Sequence, residues 1–154
     1  MKRYHTFLLL ICLLNISFLP SCHKRSAKPE TLDFSNFTGI TTTEENGTII
    51  ERDGDWCFVG ESSTSFGPAY PNPATDHCSI SSILRALTNI RIEVYNTDEV
   101  LVRTLFLGIP GGHEVEAVWD LKDSEGERVP QGLYRVFLVI DQFQCHGDIQ
   151  VNEL

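Results

Sequence analysis

Residues 111–140 read GGHEVEAVWDLKDSEGERVPQGLYRVFLVI, and they carry the clearest signals of the fold class. Val115 and Trp119 fall on one side of an alternating segment and Glu116 falls on the other, which is the period of two of a strand with one buried face. Turn-forming residues follow, and residues 133–140 then form a nearly continuous apolar run, as a strand in the middle of a sheet does. The stretch therefore predicts two strands joined by a turn, the second of them central in its sheet.

Similar alternation recurs from residue 77 to the end of the chain, and clusters of Gly, Pro, Asn and Asp separate the alternating segments. No segment of helical period intervenes, so the strands have to pair with one another. We predict an all-β fold, an antiparallel β-sandwich of about seven strands, over residues 67–154. The remaining alternating segments are residues 77–84, 89–95, 100–107 and 144–151.

The N-terminus has the layout of an export signal. Two basic residues precede an unbroken apolar run, FLLLICLL at residues 7–14, which has the length of a signal-peptide core and is too short for a membrane span. Leu-Pro-Ser-Cys at residues 19–22 resembles a bacterial lipobox, in which the cysteine receives a diacylglycerol. We expect residues 1–21 to be removed and Cys22 to be lipidated. The alternatives are an ordinary signal peptide cut elsewhere and an uncleaved anchor, and each of them also exports the chain.

The segment after the signal has the composition of a linker. Residues 23–50 are rich in Ser, Thr, Asn, Gly and charged residues and lack a helical period. We therefore expect residues 22–66 to form a flexible tether, with a short strand near residues 48–51. The chain then divides into a signal peptide (1–21), this tether, and a sandwich domain (67–154).

The chain is acidic, with 21 Asp and Glu against 12 Lys and Arg and a formal net charge of −9. Removing residues 1–21 takes away two bases and no acids, which leaves 10 bases against 21 acids and a net charge of −11. Proteins that bind nucleic acid by its phosphates need clustered Lys and Arg. The charge therefore argues against a nucleic-acid partner, and a length of 154 residues allows one domain rather than two.

Residues 68–151 also contain short motifs in a fixed order: Ala-Tyr-Pro-Asn-Pro (69–73), Ile-Glu-Val-Tyr-Asn (92–96), Val-Trp-Asp (118–120), Asp-Ser-Glu-Gly (123–126) and Val-Pro-Gln-Gly-Leu-Tyr-Arg (129–135). Together they resemble the Ig-like module of the flagellar hook-capping protein FlgD, which is similar to the C-terminal sorting domains of type IX secretion. The resemblance implies an Ig-like antiparallel β-sandwich with a structural or interaction role.

Two positions depart from the pattern of this family. The turn after Tyr95 reads Asn-Thr-Asp-Glu at residues 96–99, where the family usually has a glycine, so the resemblance leaves the turn type open. The last strand ends in Gly-Asp-Ile-Gln-Val at residues 147–151, whereas a type IX sorting tail usually carries a lysine-rich motif. The acidic tail and the lipid signal at the other end both argue against the domain acting as a secretion signal, which remains an alternative.

The cysteines fit one disulfide. Lipidation of Cys22 and loss of Cys12 with the signal leave three cysteines in an oxidising compartment. In an Ig-like topology the first strand lies parallel beside the last, so the chain enters both strands at the same end of the sandwich. This favours a Cys57–Cys145 disulfide, with Cys78 as a small buried hydrophobe. A bridge from Cys78 to Cys145 is the alternative.

A metal site is only weakly indicated. His77-Cys78 and Cys145-His146 contain the side chains that zinc prefers. Neighbouring residues of a strand point to opposite faces, however, so neither pair converges on one ion.

Calcium and catalytic chemistry are weakly indicated too. Glu51, Asp53 and Asp55 alternate around a glycine, but no EF-hand spacing follows, and a solvated acidic turn explains them as well. No serine lies in a Gly-x-Ser-x-Gly motif, and no phosphate-binding loop is present.

We therefore predict a non-enzymatic protein of the bacterial cell envelope, anchored by the lipid on Cys22 at the outer membrane or the periplasmic face. Its Ig-like domain is expected to contact protein partners in the envelope. We predict no catalytic residue, no cofactor and no metal. The alternatives are a small-ligand or metal-binding envelope lipoprotein and an exported protein that carries a secretion tail.

Overall fold

The computed structural model describes residues 31–37, 39–54, 56 and 64–153. The chain divides into Met1–Glu30 and a compact unit, Thr31–Leu154. Within the described residues the regular secondary structure is entirely β. The strands are β1 (Thr42–Thr43), β2 (Ile49–Glu51), β3 (Ser65–Phe66), β4 (Cys78–Ile83), β5 (Ile90–Asn96), β6 (Leu101–Gly108), β7 (Glu114–Trp119), β8 (Gly132–Ile140) and β9 (Phe143–Val151).

Two antiparallel sheets form the sandwich. One has the strand order β3-β4-β7 and the other has the order β6-β5-β8-β9, while β1 and β2 form a separate hairpin. In the described part of the chain the two sandwich sheets contain seven strands, as the sequence predicts, and the all-β antiparallel class is confirmed. The expected strand near residues 48–51 is present as β2.

The core lies between the two sheets. Trp119 is fully buried, its ring packs edge-on against Tyr134 at a centroid distance of 5.2 Å, and its Nε1 donates to the main-chain oxygen of Lys122 at 2.9 Å. Ile80 from the three-stranded sheet and Ile92 from the four-stranded sheet are also fully buried. Trp119 therefore faces inward, as the alternation of β7 predicts, and it is the largest fully buried side chain.

The turn before β8 follows its sequence motif. One carboxylate oxygen of Asp123 accepts hydrogen bonds from the amides of Glu125 and Glu127 at 2.9 and 3.0 Å. Gly126 has a φ of +88°, a conformation that glycine adopts without steric cost. This short-range chemistry fixes the turn largely by itself.

The turn between β5 and β6 adopts a backbone conformation that is less favourable in free energy. The side-chain oxygen of Asn96 accepts from the amides of Asp98 and Val100, at 3.0 and 2.9 Å. Glu99 has a φ of +62°, in the region where the family usually has a glycine. A residue with a Cβ loses free energy in this conformation.

β8 is the central strand that the sequence predicts, because it pairs with β5 on one side and β9 on the other. Tyr134, Val136 and Leu138 point into the core, while Arg135 and Phe137 point to the outer face, and all five are buried. A strand buried on both faces explains the continuous apolar run, but it requires something to cover the outer face.

The compact unit begins inside the segment that was expected to be a flexible tether (22–66). Trp56 and Phe66 are buried, with ring centroids 5.2 Å apart. A Cβ placed on Gly147 of β9 would lie 2.1 Å from Cε2 of Trp56, so the indole lies directly on this strand. Trp56 and Phe66 lie in short apolar stretches without strand or helix period, and periodicity therefore gave no signal of their packing.

Candidate interaction surfaces

The cysteines divide into described and undescribed positions. Cys22 and Cys57 lie outside the described residues. Cys145 is buried in β9 and is disulfide-bonded, whereas Cys78 is a free buried thiol whose pKa is raised to about 12 by desolvation. Because Cys78 is free, the partner of Cys145 lies outside the described residues, and Cys57 stays the predicted partner. Trp56, the neighbour of Cys57 in sequence, packs two positions from Cys145 on β9.

The metal-ligand pairs do not come together. Cys145 belongs to the core cluster, while the ring of His146 packs on the other side of the strand against Phe137 at 5.6 Å. His77 lies at the surface, where its Nδ1 is 2.9 Å from a carboxylate oxygen of Asp76. In the part of the chain that the structure describes, no three His, Cys, Asp or Glu side chains converge as metal ligands. No helix in that part is long and apolar enough to cross a membrane.

A buried ion pair lies on the outer face of the four-stranded sheet. Arg135 of β8 stands opposite Asp148 of β9 in the strand register, and both side chains are fully buried. Nε and one terminal nitrogen of Arg135 each donate to a different carboxylate oxygen at 2.7 Å. This two-point geometry is the strongest form of an arginine–carboxylate contact.

Residues 31–37, here called the strap, cover this pair. The remaining N–H groups of Arg135 donate to the main-chain oxygens of Asp33 (3.0 Å), Ser35 (2.6 Å) and Asn36 (3.1 Å). With the two bonds to the carboxylate, all five guanidinium donors are paired. The ring of Phe37 lies over the guanidinium, 4.1 Å from its carbon to the ring centroid. The ion pair is therefore buried with its donors satisfied, which is the condition under which such a pair is tolerated.

An aromatic slot holds the middle of the strap. The ring of Phe34 packs edge-on against Tyr95 and Phe137, at centroid distances of 5.3 and 5.1 Å. The side-chain amide of Gln144 in β9 donates to the oxygen of Thr31 at 3.1 Å and accepts from the amide of Asp33 at 3.3 Å. Side chains of the sheet thus bind both the rings and the main chain of the strap.

A local turn shapes the strap. The hydroxyl and the amide of Ser35 donate to one carboxylate oxygen of Asp33, at 2.5 and 2.9 Å. These hydrogen bonds lower the pKa of Asp33 below its ordinary value of 3.8, and its electrostatic interactions with His146 and Arg135 act in the same direction. The ionised carboxylate is therefore the form that the strap conformation favours.

Asn72 closes the edge of β9. Its side-chain amide donates to the main-chain oxygens of Thr41 and Asp148, both at 2.9 Å, and its oxygen accepts from the amide of Gln150 at 2.9 Å. The side chain is fully buried. A parallel bridge between Ala74 and Val151 continues the cover along β9. The sequence motif drew attention to the flanking prolines and not to this asparagine.

The opposite edge of the same sheet is open. In the described part of the chain, β6 pairs with β5 alone. Four aliphatic side chains along β6 and its flanks are exposed, and we call this set the β6 edge. Its members and their exposed fractions are Val100 (57%), Leu101 (46%), Leu107 (71%) and Ile109 (62%).

Open clefts and acidic turns lie beside the β6 edge. Two adjoining clefts of about 420 and 310 Å³ share Leu101, Val102 and Ser124 in their walls. The turns at residues 96–99 and 123–126 carry exposed carboxylates on this side of the domain. Arg103 and Arg128 also line these clefts, so the surface combines aliphatic side chains with charges of both signs.

No protein-family model and no curated protein matches this chain. The solved structures that it matches include dimeric latent PorU from Porphyromonas gingivalis, with 20% identity and a TM-score of 0.46 over 62% of this chain and 10% of that one. They also include PorZ, described as an essential bacterial surface component of the type IX secretion system of the same organism, with 21% identity and a TM-score of 0.38 over 55% of this chain and 11% of that one. FlgD from P. aeruginosa matches with 26% identity and a TM-score of 0.39 over 49% of this chain and 61% of that one.

FlgD and a type IX secretion component are the kinds of protein that the motifs of residues 68–151 resemble. The chain spans about a tenth of PorU and PorZ and less than two thirds of FlgD. The role of this chain therefore has to be argued from its own surface.

Proposed function

We propose that this chain is a lipid-anchored, non-enzymatic protein of the bacterial cell envelope whose Ig-like domain binds partner proteins through the β6 edge. The observation that carries the proposal is the row of exposed aliphatic side chains along an edge strand. Edge strands usually carry charge, proline or a cover, because an open edge pairs with other chains. An apolar open edge is therefore suited to accept an extended segment of a partner.

The chemistry of that segment follows from the strand and its surroundings. Bulges interrupt the pairing of β6 with β5 at two places, and residues 106–108 keep a regular register. Leu107 lies within this regular stretch and Ile109 follows it, and they are the two most exposed members of the β6 edge. The clefts beside β6 are lined by Glu125 and also by Arg103 and Arg128, so we expect an apolar segment flanked by charges of both signs.

The anchor is supported by the Leu-Pro-Ser-Cys sequence at residues 19–22. Lipidation of Cys22 would leave residues 23–30 between the lipid and the compact unit that starts at Thr31. The diacylglycerol on Cys22 would carry two acyl chains, and two chains suffice to hold the domain stably at a membrane face.

The non-enzymatic role is supported by how the buried polar groups are used. Arg135 binds Asp148 and the strap, and Asn72 binds main-chain groups of two segments, the one around Thr41 and strand β9. Each has a structural partner at normal hydrogen-bond distance, which is the ordinary state of buried polar groups in a scaffold.

A photo-crosslinking side chain at Leu107 tests the partner surface in the native envelope. We expect discrete cross-linked species that disappear when Leu101→Lys places a charge on the same edge. A probe at Ser81, which is exposed on the other sheet, is the matched control. The same species from both probes, or none from Leu107, would contradict the proposal.

The substitution Cys22→Ala tests the anchor. We expect the variant to lose its lipid, measured by mass spectrometry of the N-terminal peptide, and to move from the membrane fraction to the soluble fraction. Persistent membrane association without a lipid would show that another segment anchors the chain.

A further inference from the structure

We propose that the outer face of the four-stranded sheet is a peptide-binding site, which the strap fills within its own chain and which residues 31–37 of a second copy also fill. This site is distinct from the β6 edge and does not depend on what that edge binds.

The strap is held as a peptide ligand is held. It contains no strand and forms no β-ladder with the sheet. Arg135 donates to three of its main-chain oxygens, and Gln144 binds two more of its main-chain groups. Grooves that bind extended peptides likewise obtain affinity from main-chain hydrogen bonds and specificity from side-chain pockets.

Two rings give the site its specificity. Phe34 enters the slot between Tyr95 and Phe137, and Phe37, three positions later, covers the guanidinium. Asp33 fixes the turn that brings these rings to the sheet. The ligand class is therefore an Asp-Phe-x-x-Phe segment.

The structure favours exchange of straps over an empty site. If the strap left, three N–H groups of Arg135 would lose their partners beside a carboxylate, which is costly in a buried site. The strap of a second copy supplies identical contacts, so exchange changes few interactions and depends mainly on concentration. The strap also lies at the N-terminal end of the compact unit, so it leaves without breaking a strand pair.

A labelled peptide of sequence Thr-Leu-Asp-Phe-Ser-Asn-Phe, residues 31–37, tests the site directly. We compare its binding by fluorescence anisotropy to the full chain in detergent and to the Phe34→Ala/Phe37→Ala variant. The variant's own strap competes less, so we expect the peptide to bind it at least tenfold more tightly than it binds the unaltered chain. A peptide with both phenylalanines replaced by alanine is the control and should not bind. Equal or absent binding to the folded variant would overturn the proposal.

Sedimentation of the unaltered chain tests the second copy as the occupant. We expect a dimer that grows with concentration, is dissolved by excess strap peptide, and persists in Leu107→Ser. Dissolution by Leu107→Ser would assign the dimer to the β6 edge. Absence of a dimer, or a dimer that the peptide leaves intact, would also overturn exchange between copies.

If the Phe34→Ala/Phe37→Ala variant does not fold, hydrogen exchange on the unaltered chain tests whether the strap leaves the sheet. We expect the amides of Ser35 and Asn36 to exchange through a local opening, at least a hundredfold faster than the amides of β8. Exchange of the strap only at the rate of the sheet would mean that the face never opens, and the proposal would fail.

Discussion

The two edges of the four-stranded sheet differ in whether other parts of the chain cover them. At β9, Asn72 binds the edge, Trp56 lies on Gly147, and the strap covers the adjoining outer face. At β6, the strand pairs on one side and its aliphatic side chains are exposed. The chain itself thus covers the β9 edge, whereas the β6 edge is exposed in the described part of the structure.

The difference lies in the chemistry of the two sides. The β9 side is closed by the ring of Trp56 and by Asn72 and Arg135, whose donors are directed at particular partners, so only a segment of matching shape fits. The β6 side offers aliphatic side chains and a main chain that, within the described residues, pairs with β5 alone, which places fewer demands on an incoming strand. The first arrangement gives specificity, and the second gives adaptability.

Among the substitutions that test this comparison, Arg135→Met should change the free energy of unfolding the most. The substitution leaves Asp148 buried without its cation, so we expect the free energy of unfolding to fall by about 3–5 kcal/mol. Urea denaturation under non-reducing conditions measures the loss. A loss below about 1 kcal/mol would mean that the pair does not hold the closed side together.

The double variant Arg135→Met/Asp148→Leu is the matched control. It removes the unpaired charge, so most of the lost stability should return. The strap amides should nevertheless exchange faster than in the unaltered chain, because the donors to Asp33, Ser35 and Asn36 are gone. This separates the stability of the sheet from the attachment of the strap.

Asn72→Ala should have the next largest effect. It removes the partners of two buried main-chain oxygens and one amide, for which we expect a loss of about 2–3 kcal/mol. Chemical denaturation compares it with Asn152→Ala, which keeps its main-chain bond to Ala74 and should change little. Equal losses of stability in the two variants would contradict the role of Asn72 at the β9 edge.

Glu99→Gly should have the smallest effect, and the opposite sign. Glycine adopts the positive φ of this turn without strain, although it gains entropy in the unfolded chain, so we expect a net stabilisation of about 0.5–1 kcal/mol. Asp98→Gly, at a neighbouring position without a positive φ, should destabilise instead. A thermal melt distinguishes the two, and a destabilising Glu99→Gly would show that its side chain contributes to the open side.

Much of the sandwich could be predicted because its signals are local. The alternation in β7 identified Trp119 as a core residue, and the apolar run identified β8 as a central strand. The strap could not be predicted in the same way. Phe34 and Phe37 are two isolated rings in a polar segment, and the residues that receive them are about 60 to 100 positions later in the chain.

Local sequence signals account for the class of fold, the order of the main strands and the turn at Asp123, because strand period and turn chemistry act between near neighbours. Tertiary packing brings Arg135 to Asp148, which depends on the register of β8 with β9. It also decided which face is covered and which edge stays open. A period of two states that a side chain points outward, but only the packed chain determines what it meets there.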